Sequence, residues 1–313
     1  MTGATGFVGR QLCESLSQHG YRVRAALRSD RPMPSCIAEK FVVGEIGART
    51  IWTQALDGIE CVVHCAARAH VLNDSRESSL YQEPNAHGTE QLGRACAEAD
   101  VRRIIFLSSV KVNGERTSGA PFTSRDSPNP RDAYAESKLY AENRLLELAL
   151  KSALEVAIVR APLIYGPDVR ANFLRLMHLI HRRVPLPLGA VNNARSLVSV
   201  WNLCDLIIRL VQGPVPKSGV FMVSDGRDLS TAELIRRIGA AMKRRNMVIP
   251  VPMTVLQAIS AMSGRQAEFE RLCGSLEVDI SLTGTQLGWT PPISIDEGLA
   301  RTVRWYLSRY GNS

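Results

Sequence analysis

The sequence contains no apolar run approaching the ~20 residues that a membrane-spanning helix requires. Its start lacks a charged head followed by a long apolar core, so no secretory leader is read. No internal repeat or low-complexity tract interrupts it. Cysteine is too scattered to build a disulfide framework: the seven residues are an odd number, mostly inside apolar stretches. Reduced, buried thiols in a cytoplasmic protein are the expectation. The run Cys61-Val-Val-His64-Cys65 offers metal ligands on paper. It reads, however, as a buried strand whose neighbouring side chains point to opposite faces, and no metal is expected. Basic tracts interleaved with aromatics are missing too. The net charge of +8 and pI near 9.3 favour anionic partners, but the cations are dispersed. A phosphorylated small molecule accounts for them as well as nucleic acid does, and a plain solvated surface nearly as well. Nucleic acid is not the expected partner.

What is present is ordinary globular material: 313 residues, 45% hydrophobic and 22% charged, enough for one large domain or two modest ones. The first half alternates strand and helix patterns. A helix starts near Phe7, and strands are expected over Arg22–Leu27 and Glu60–Cys65. Then come a helix over Thr89–Ala99, a strand over Arg103–Ser108, a helix over Ala133–Lys151 and a strand over Val156–Val159. Such alternation predicts right-handed βαβ units and an α/β fold with a doubly wound parallel sheet. After Tyr165-Gly-Pro the pattern loosens. Pro185–Gly189 reads as a loop, Arg195–Val200 as a strand, Leu203–Val211 as a helix and Val220–Val223 as a strand. Ser230-Thr-Ala-Glu233 is a capping box that opens a helix. Leu287-Gly-Trp-Thr-Pro-Pro292 is a turn before a final helix from Ile295.

The chain opens Met1-Thr-Gly-Ala-Thr-Gly-Phe-Val-Gly9. Glycines at 3, 6 and 9 permit a tight turn, close approach of backbone to a pyrophosphate, and close helix–sheet packing. The following helix offers free N–H groups and the positive end of its dipole. Alone the pattern is weak, and a glycine-rich turn without a ligand is the plain alternative. The next strand ends Ala26-Leu27-Arg28-Ser29, with no acid at its tip. A carboxylate there would hold a ribose 2′-hydroxyl, whereas Arg28 suits a 2′-phosphate. NADP(H) is therefore favoured and NAD(H) is the other option. Asp30 is a late alternative acid, and a solvated surface arginine is the plain reading of Arg28.

Tyr134-Ala-Glu-Ser-Lys138 opens the longest helix, with positions i and i+4 on one face. A lysine ammonium near a phenol favours the phenolate, so the tyrosine can trade a proton near neutral pH. Most Tyr-x-x-x-Lys runs are solvated helix faces; the context distinguishes this one. Ser108-Ser109 ends a buried strand at the carboxyl edge of the expected sheet, where open α/β sheets bind ligands. A serine there can hold a carbonyl or alcohol while Tyr134 moves the proton and a cofactor exchanges hydride.

With glycine loop, Ser, Tyr and Lys in this order, the chain resembles the extended short-chain dehydrogenase/reductase family, of NAD-dependent epimerase/dehydratase type. The resemblance spans essentially the whole length. Asp57–Ala67, Asn85-Ala-His-Gly-Thr89, Val159-Arg-Ala-Pro-Leu-Ile-Tyr-Gly-Pro167 and Leu287-Gly-Trp-Thr-Pro carry it, with Ala161 replacing a usual proline. It implies a Rossmann-type dinucleotide-binding domain over 1–167. A smaller α/β substrate region covers 168–313, with some segments returning to pack on the first. It also implies Ser109, Tyr134 and Lys138 as the catalytic set. Gly3, Gly6, Phe7, Val8 and Gly9 would line the pyrophosphate, with Glu45 and Ile46 near adenine. Ala66, Ala67, Ser108 and Pro162 would sit beside the cofactor with Tyr134 and Lys138. A homodimer through the helices opening near Thr89 and Ala133 is a further family expectation.

Sugar dehydratases of this family carry an acid and a base where Val110 and Lys111 stand, so dehydration is not expected. Reduction or epimerisation needs only Ser, Tyr, Lys and cofactor. Asn172 and Arg195 resemble positions that contact a nucleotide diphosphate, and Arg271 is a weaker second arginine. Lys111 and Ser109 complete the expected substrate contacts. The chain is similar to bacterial enzymes of surface-polysaccharide synthesis, in particular UDP-4-keto-6-deoxy-N-acetylglucosamine 4-reductases. UDP-glucose and UDP-N-acetylglucosamine 4-epimerases are near neighbours. Arg28 favours the reductase, because a reductase draws fresh reduced cofactor each turnover. A non-catalytic NADP-sensing protein is the reading from another class, and the intact Ser-Tyr-Lys set counts against it. Steroid- or flavonoid-type reductases share Arg28 but have little use for Arg195.

One absence remains. Relatives form their first, central strand from residues before Thr-Gly, and only Met1 precedes that pair here. A central gap would strand two neighbours without backbone partners. The expectation is a start assigned too late, through a misread initiation codon or a trimmed chain.

Overall fold

In the computed structural model, residues 1–68, 79–213, 218–244, 248–264 and 266–311 are described. The first half runs α1 (Phe7–Gln18), β1 (Arg24–Leu27), β2 (Glu39–Val42), α2 (Thr53–Leu56) and β3 (Cys61–His64). It continues with α3 (Ser79–Tyr81), a π-helical turn at Gln82–His87, α4 (Gly88–Glu98), β4 (Arg103–Ser109), α5 (Ala133–Lys151) and β5 (Glu155–Ala161). The second half holds β6 (Leu163–Tyr165), α6 (Ala171–His181), β7 (Leu197–Ser199), α7 (Val200–Gln212) and β8 (Ser218–Met222). It ends with α8 (Thr231–Ala241), α9 (Met253–Met262), α10 (Gln266–Cys273), α11 (Ser281–Leu287) and α12 (Ile295–Tyr310).

All strand pairings are parallel. β3, β4, β5 and β8 pair in that order, β1 pairs with β2, and β6 with β7. β4 lies between two full neighbours and is nearly all buried, which fits its apolar run Arg103-Ile-Ile-Phe-Leu. α1 and α7 cover one face with Leu12, Leu16, Leu203 and Ile207; α4 and α5 cover the other with Leu92, Cys96 and Leu145. α6, α8 and α12 build a second core around Phe173, Ile235 and Tyr306. Tyr165 ties that core to the sheet: its hydroxyl donates to Asp225, which also accepts from the Ser199 backbone and the Asn202 side chain.

Several expected elements shift. The strand expected from Arg22 starts at Arg24. The one expected over Arg195–Val200 shortens to Leu197–Ser199, because the Ser199 hydroxyl accepts from Asn202 N–H and caps α7. Arg195 instead makes single bridges to Leu229 and Leu276. The strand near Val220 is β8, which pairs with β5 and so returns to the main sheet. β2 had no expected counterpart; its alternating, half-exposed Glu-Lys-Phe-Val carries no apolar run.

The expected central gap is partly bridged. Thr2 makes parallel bridges to both Ala26 of β1 and His64 of β3. Its N–H donates to Val63 O, Ala26 N–H donates to Met1 O, and the Met1 ammonium donates to Arg24 O. Burial pushes that amine below its ordinary pKa. Beside this rung lies a cavity lined by Met1, Arg24, Phe41, Trp52, Ile59 and Val62. The Trp52 indole N–H is buried there without a partner among the described residues.

At the start of β4, Arg103 is only 1% exposed. Its guanidinium pairs with Glu155 at 2.5 Å and donates to the carbonyls of Leu210 and Gly213 at the end of α7. Removing one partner of such a buried pair leaves the rest unsatisfied. Arg103→Met is expected to lower the unfolding free energy by about 3 kcal/mol, read as an earlier midpoint in urea.

Candidate active site

The carboxyl ends of β1, β3 and β4 gather most of the expected site residues. Gly3 has φ +70°, and a Cβ on it would come 2.7 Å from the Ala66 nitrogen. A Cβ on Gly9 would overlap the Gly3 carbonyl. Gly6 N–H donates to Gly3 O at 2.9 Å, and extended Gly6 then begins α1 without any side-chain cap. The first-turn N–H groups are thus left for an anion. Val8 is buried and Phe7 packs against both cores, so these two offer backbone rather than side chain. The cradle fits a dinucleotide pyrophosphate. A nicotinamide dinucleotide held there would supply hydride transfer.

A directional chain of hydrogen bonds braces the cradle. Burial holds the imidazole of His64 far below its usual pKa, at about 3, so it is neutral. Thr89 donates to Asn85 O at 2.6 Å, so its oxygen can only accept from His64 Nε2–H at 2.9 Å. His64 Nδ1 is then the acceptor for the Thr2 hydroxyl at 2.6 Å, and Thr2 Oγ1 accepts from Ala66 N–H. Asn85 continues the chain to Ser137, whose hydroxyl donates to Tyr134 O. The strand carrying His64 is legible in the sequence; the two threonines that fix its tautomer come from distant segments. Among the described residues, no group of three or more His, Cys, Asp or Glu can hold a metal.

α5 presents Tyr134, Lys138 and Glu142 at successive turns toward the end of β4. Asp132 caps this helix by accepting from Ala135 N–H at 2.8 Å. The neighbouring Ser109 hydroxyl lowers the Tyr134 phenol's pKa, but burial and the Asp132 charge outweigh this and hold it at about 12. Lys138 donates to Leu107 O at 2.8 Å and lies 4.3 Å from the Phe106 ring centroid. Burial lowers its ammonium to about 8, partly offset by the Glu142 carboxylate. Burial thus disfavours the charged form of each group, raising the phenol and lowering the ammonium. Ser108, expected beside the cofactor, turns its hydroxyl inward and donates to Glu142 at 2.5 Å.

The remaining expected residues are placed as follows. Arg28 and Glu45, both exposed, pair at 3.3 Å, and Ile46 packs at Gly88 where α4 begins. Ala67 is exposed after β3. Pro162 is buried between β5 and β6. Lys111 is tied to Asp132 at 2.5 Å and Glu115 at 3.3 Å. Arg195 and Arg271 come together: Arg195 Nη1 donates to the carbonyls of Arg271 and Gly274, both at 2.9 Å, while the Arg271 side chain is exposed. Asn172 is exposed at the start of α6.

Because a methyl at position 9 collides with backbone rather than a yielding side chain, Gly9→Ala should distort the cradle. Its affinity for NAD+, titrated calorimetrically, is expected to fall by at least about tenfold.

Comparison with known proteins agrees with this geometry. Residues 1–223 match the model of the NAD dependent epimerase/dehydratase family. A UDP-glucose 4-epimerase of Vibrio cholerae is 42% identical over 312 residues, covering 98% of this chain and 94% of the relative. An Escherichia coli N-acetyl-alpha-D-glucosaminyl-diphospho-ditrans,octacis-undecaprenol 4-epimerase is 26% identical, covering 97% and 94%. The solved structure of MoeE5 in complex with UDP-glucose and NAD superposes with a TM-score of 0.79 at 25% identity, covering 100% and 98%. Cradle, Ser-Tyr-Lys set and full-length similarity agree, and the chain belongs to the NAD-dependent epimerase/dehydratase family.

Proposed function

We propose that the chain interconverts C4 epimers of a UDP-hexose with a bound nicotinamide dinucleotide. The observation that carries this reading is the gathering of Ser109 and Tyr134 at the carboxyl end of β4, beside Lys138 and the glycine cradle. In this reading Tyr134 takes the proton of the C4 hydroxyl while Ser109 holds the oxygen, and the reverse transfer follows on the sugar's other face. Lys138 supplies positive charge that eases loss of the Tyr134 proton. Dehydration lacks support: Val110 is buried and cannot titrate, and Lys111 is engaged by two carboxylates. Arg195 and Arg271, held together by the Arg195–Arg271 carbonyl contact, suit the diphosphate of the nucleotide.

The Vibrio cholerae relative supports the epimerase over the reductase. The dinucleotide reading moves with it. Arg28 is paired with Glu45, whose carboxylate would repel a 2′-phosphate, so NAD is the favoured cofactor. The second reading, a UDP-4-keto-6-deoxy-N-acetylglucosamine 4-reductase using NADPH, rests on Arg28 itself as a cation at the tip of β1.

Incubated with UDP-glucose and no added reductant, the protein is expected to form UDP-galactose, resolved by chromatography. Tyr134→Phe should slow this by about 10²- to 10⁴-fold. Absence of interconversion, together with oxidation of NADPH by the 4-keto sugar nucleotide, would establish the reductase. Turnover should also decline on the alkaline side as Lys138 loses its proton near pH 8; a profile flat through about pH 9 speaks against that role.

A further inference from the structure

Beneath the Ser-Tyr-Lys set lies a buried ionic cluster that the reaction as described does not use. Glu142 is 1% and Arg160 4% exposed. Arg160 grips both oxygens of Glu142, with Nη2–Oε2 at 2.6 Å and Nε–Oε1 at 3.1 Å. The carboxylate also accepts from Ser108. Arg160 Nη1 reaches Asn113 Oδ1 at 3.0 Å, and Asn113 Nδ2 donates to Thr123 O. Four segments meet here: α5 through Glu142, β4 through Ser108, β5 through Arg160 and the loop after β4 through Asn113. Ser108 and Arg160 are register partners on adjacent strands.

The placement on α5 gives the cluster its meaning. Tyr134, Lys138 and Glu142 are spaced by four; Lys138 and Glu142 are hydrogen-bonded to β4 at the Leu107 carbonyl and Ser108, and Tyr134 faces Ser109 at its end. We propose that the Glu142–Arg160 pair positions the catalytic helix, fixing the phase of α5 against β4 and setting the charge that Lys138 faces. The proposal rests on the reading of Tyr134 and Lys138 as the proton-handling pair. Around Lys138 the other titratable groups are His64 and Cys65 from β3 and its end. His64 is neutral, and burial pushes the Cys65 thiol up to about 12, so it is neutral too. Glu142 is then the counter-charge that Lys138 faces, and Arg160 partly cancels it. Isolated buried ion pairs seldom stabilise a fold relative to apolar substitutes, so a pair retained here is better explained by placement and charge than by stability.

A structural role alone would leave the titration of Lys138 unmoved, which makes that titration the test. The chain has only six lysines, so isotope-labelled lysine gives few NMR signals, and Lys138→Met identifies the one sought. Glu142→Gln removes the counter-charge and leaves Arg160 facing Lys138; the Lys138 midpoint is expected to fall by about one pH unit. Arg160→Gln does the opposite and should raise it. The double variant should return it toward the wild-type value. Either single variant that folds suffices, folding being checked by circular dichroism. Opposite shifts support the proposal, whereas a Lys138 midpoint unchanged in a folded single variant overturns it. The titration needs no substrate. A failure to turn over any UDP-sugar would therefore count against the proposed function and leave this result standing.

Discussion

Burying the ammonium of Lys138 is the constraint around which the site is built. A lysine removed from water holds its proton poorly, and here two weak acceptors share it, the Leu107 carbonyl and the face of Phe106. Both belong to β4, so the strand must be central, straight and paired on both sides. It is: β3 and β5 bracket it in parallel register. Its carboxyl end then delivers Ser109 to Tyr134. The same helix face that supplies Tyr134 and Lys138 supplies Glu142 one turn on, so sheet order, helix phase and charge are decided together.

The cofactor cradle depends on the sheet in a different way. Its glycines are demanded by backbone crowding, since Gly3 lies against Ala66 and Gly9 against Gly3. Side-chain hydrogen bonds through Thr2, His64 and Thr89 then fasten the cradle to β3 and α4. Through Asn85 and Ser137 the same chain reaches the backbone of Tyr134. The glycine cradle and the backbone of Tyr134 thus share one polar path, which suits the fixed relation that the proposed reaction asks of cofactor and base.

How much of this was legible depended on whether the signal was local. The helix Ala133–Lys151 matches its expected bounds, because the Asp132 cap and the helical spacing lie within one stretch. The capping box at Ser230 and the left-handed Gly288 turn were equally local. The Ser-Tyr-Lys set was readable as a motif in context. Unreadable were pairings between segments remote in sequence: Arg28 with Glu45, Arg195 with the Arg271 carbonyl, and Arg160 with Glu142. Ser108 shows the limit well. Sequence placed it beside the cofactor, but whether a side chain at a strand end points up or inward depends on a glutamate 34 positions later. β2 escaped notice because four residues of mixed polarity gain their strand character only from pairing with β1.

The return of β8 to the main sheet sets how the gene can be dissected. A fragment ending near residue 167 would keep the cradle, Ser109, Tyr134 and Lys138. It would lose the strand that shields the outer edge of β5 and the α7 helix that covers one sheet face. Such a fragment would carry every proton-handling group and still expose an open, apolar sheet edge, a template for aggregation. The two halves are therefore not exchangeable modules: substrate preference cannot be swapped by grafting a foreign C-terminal half at that point without also transplanting part of the dinucleotide sheet.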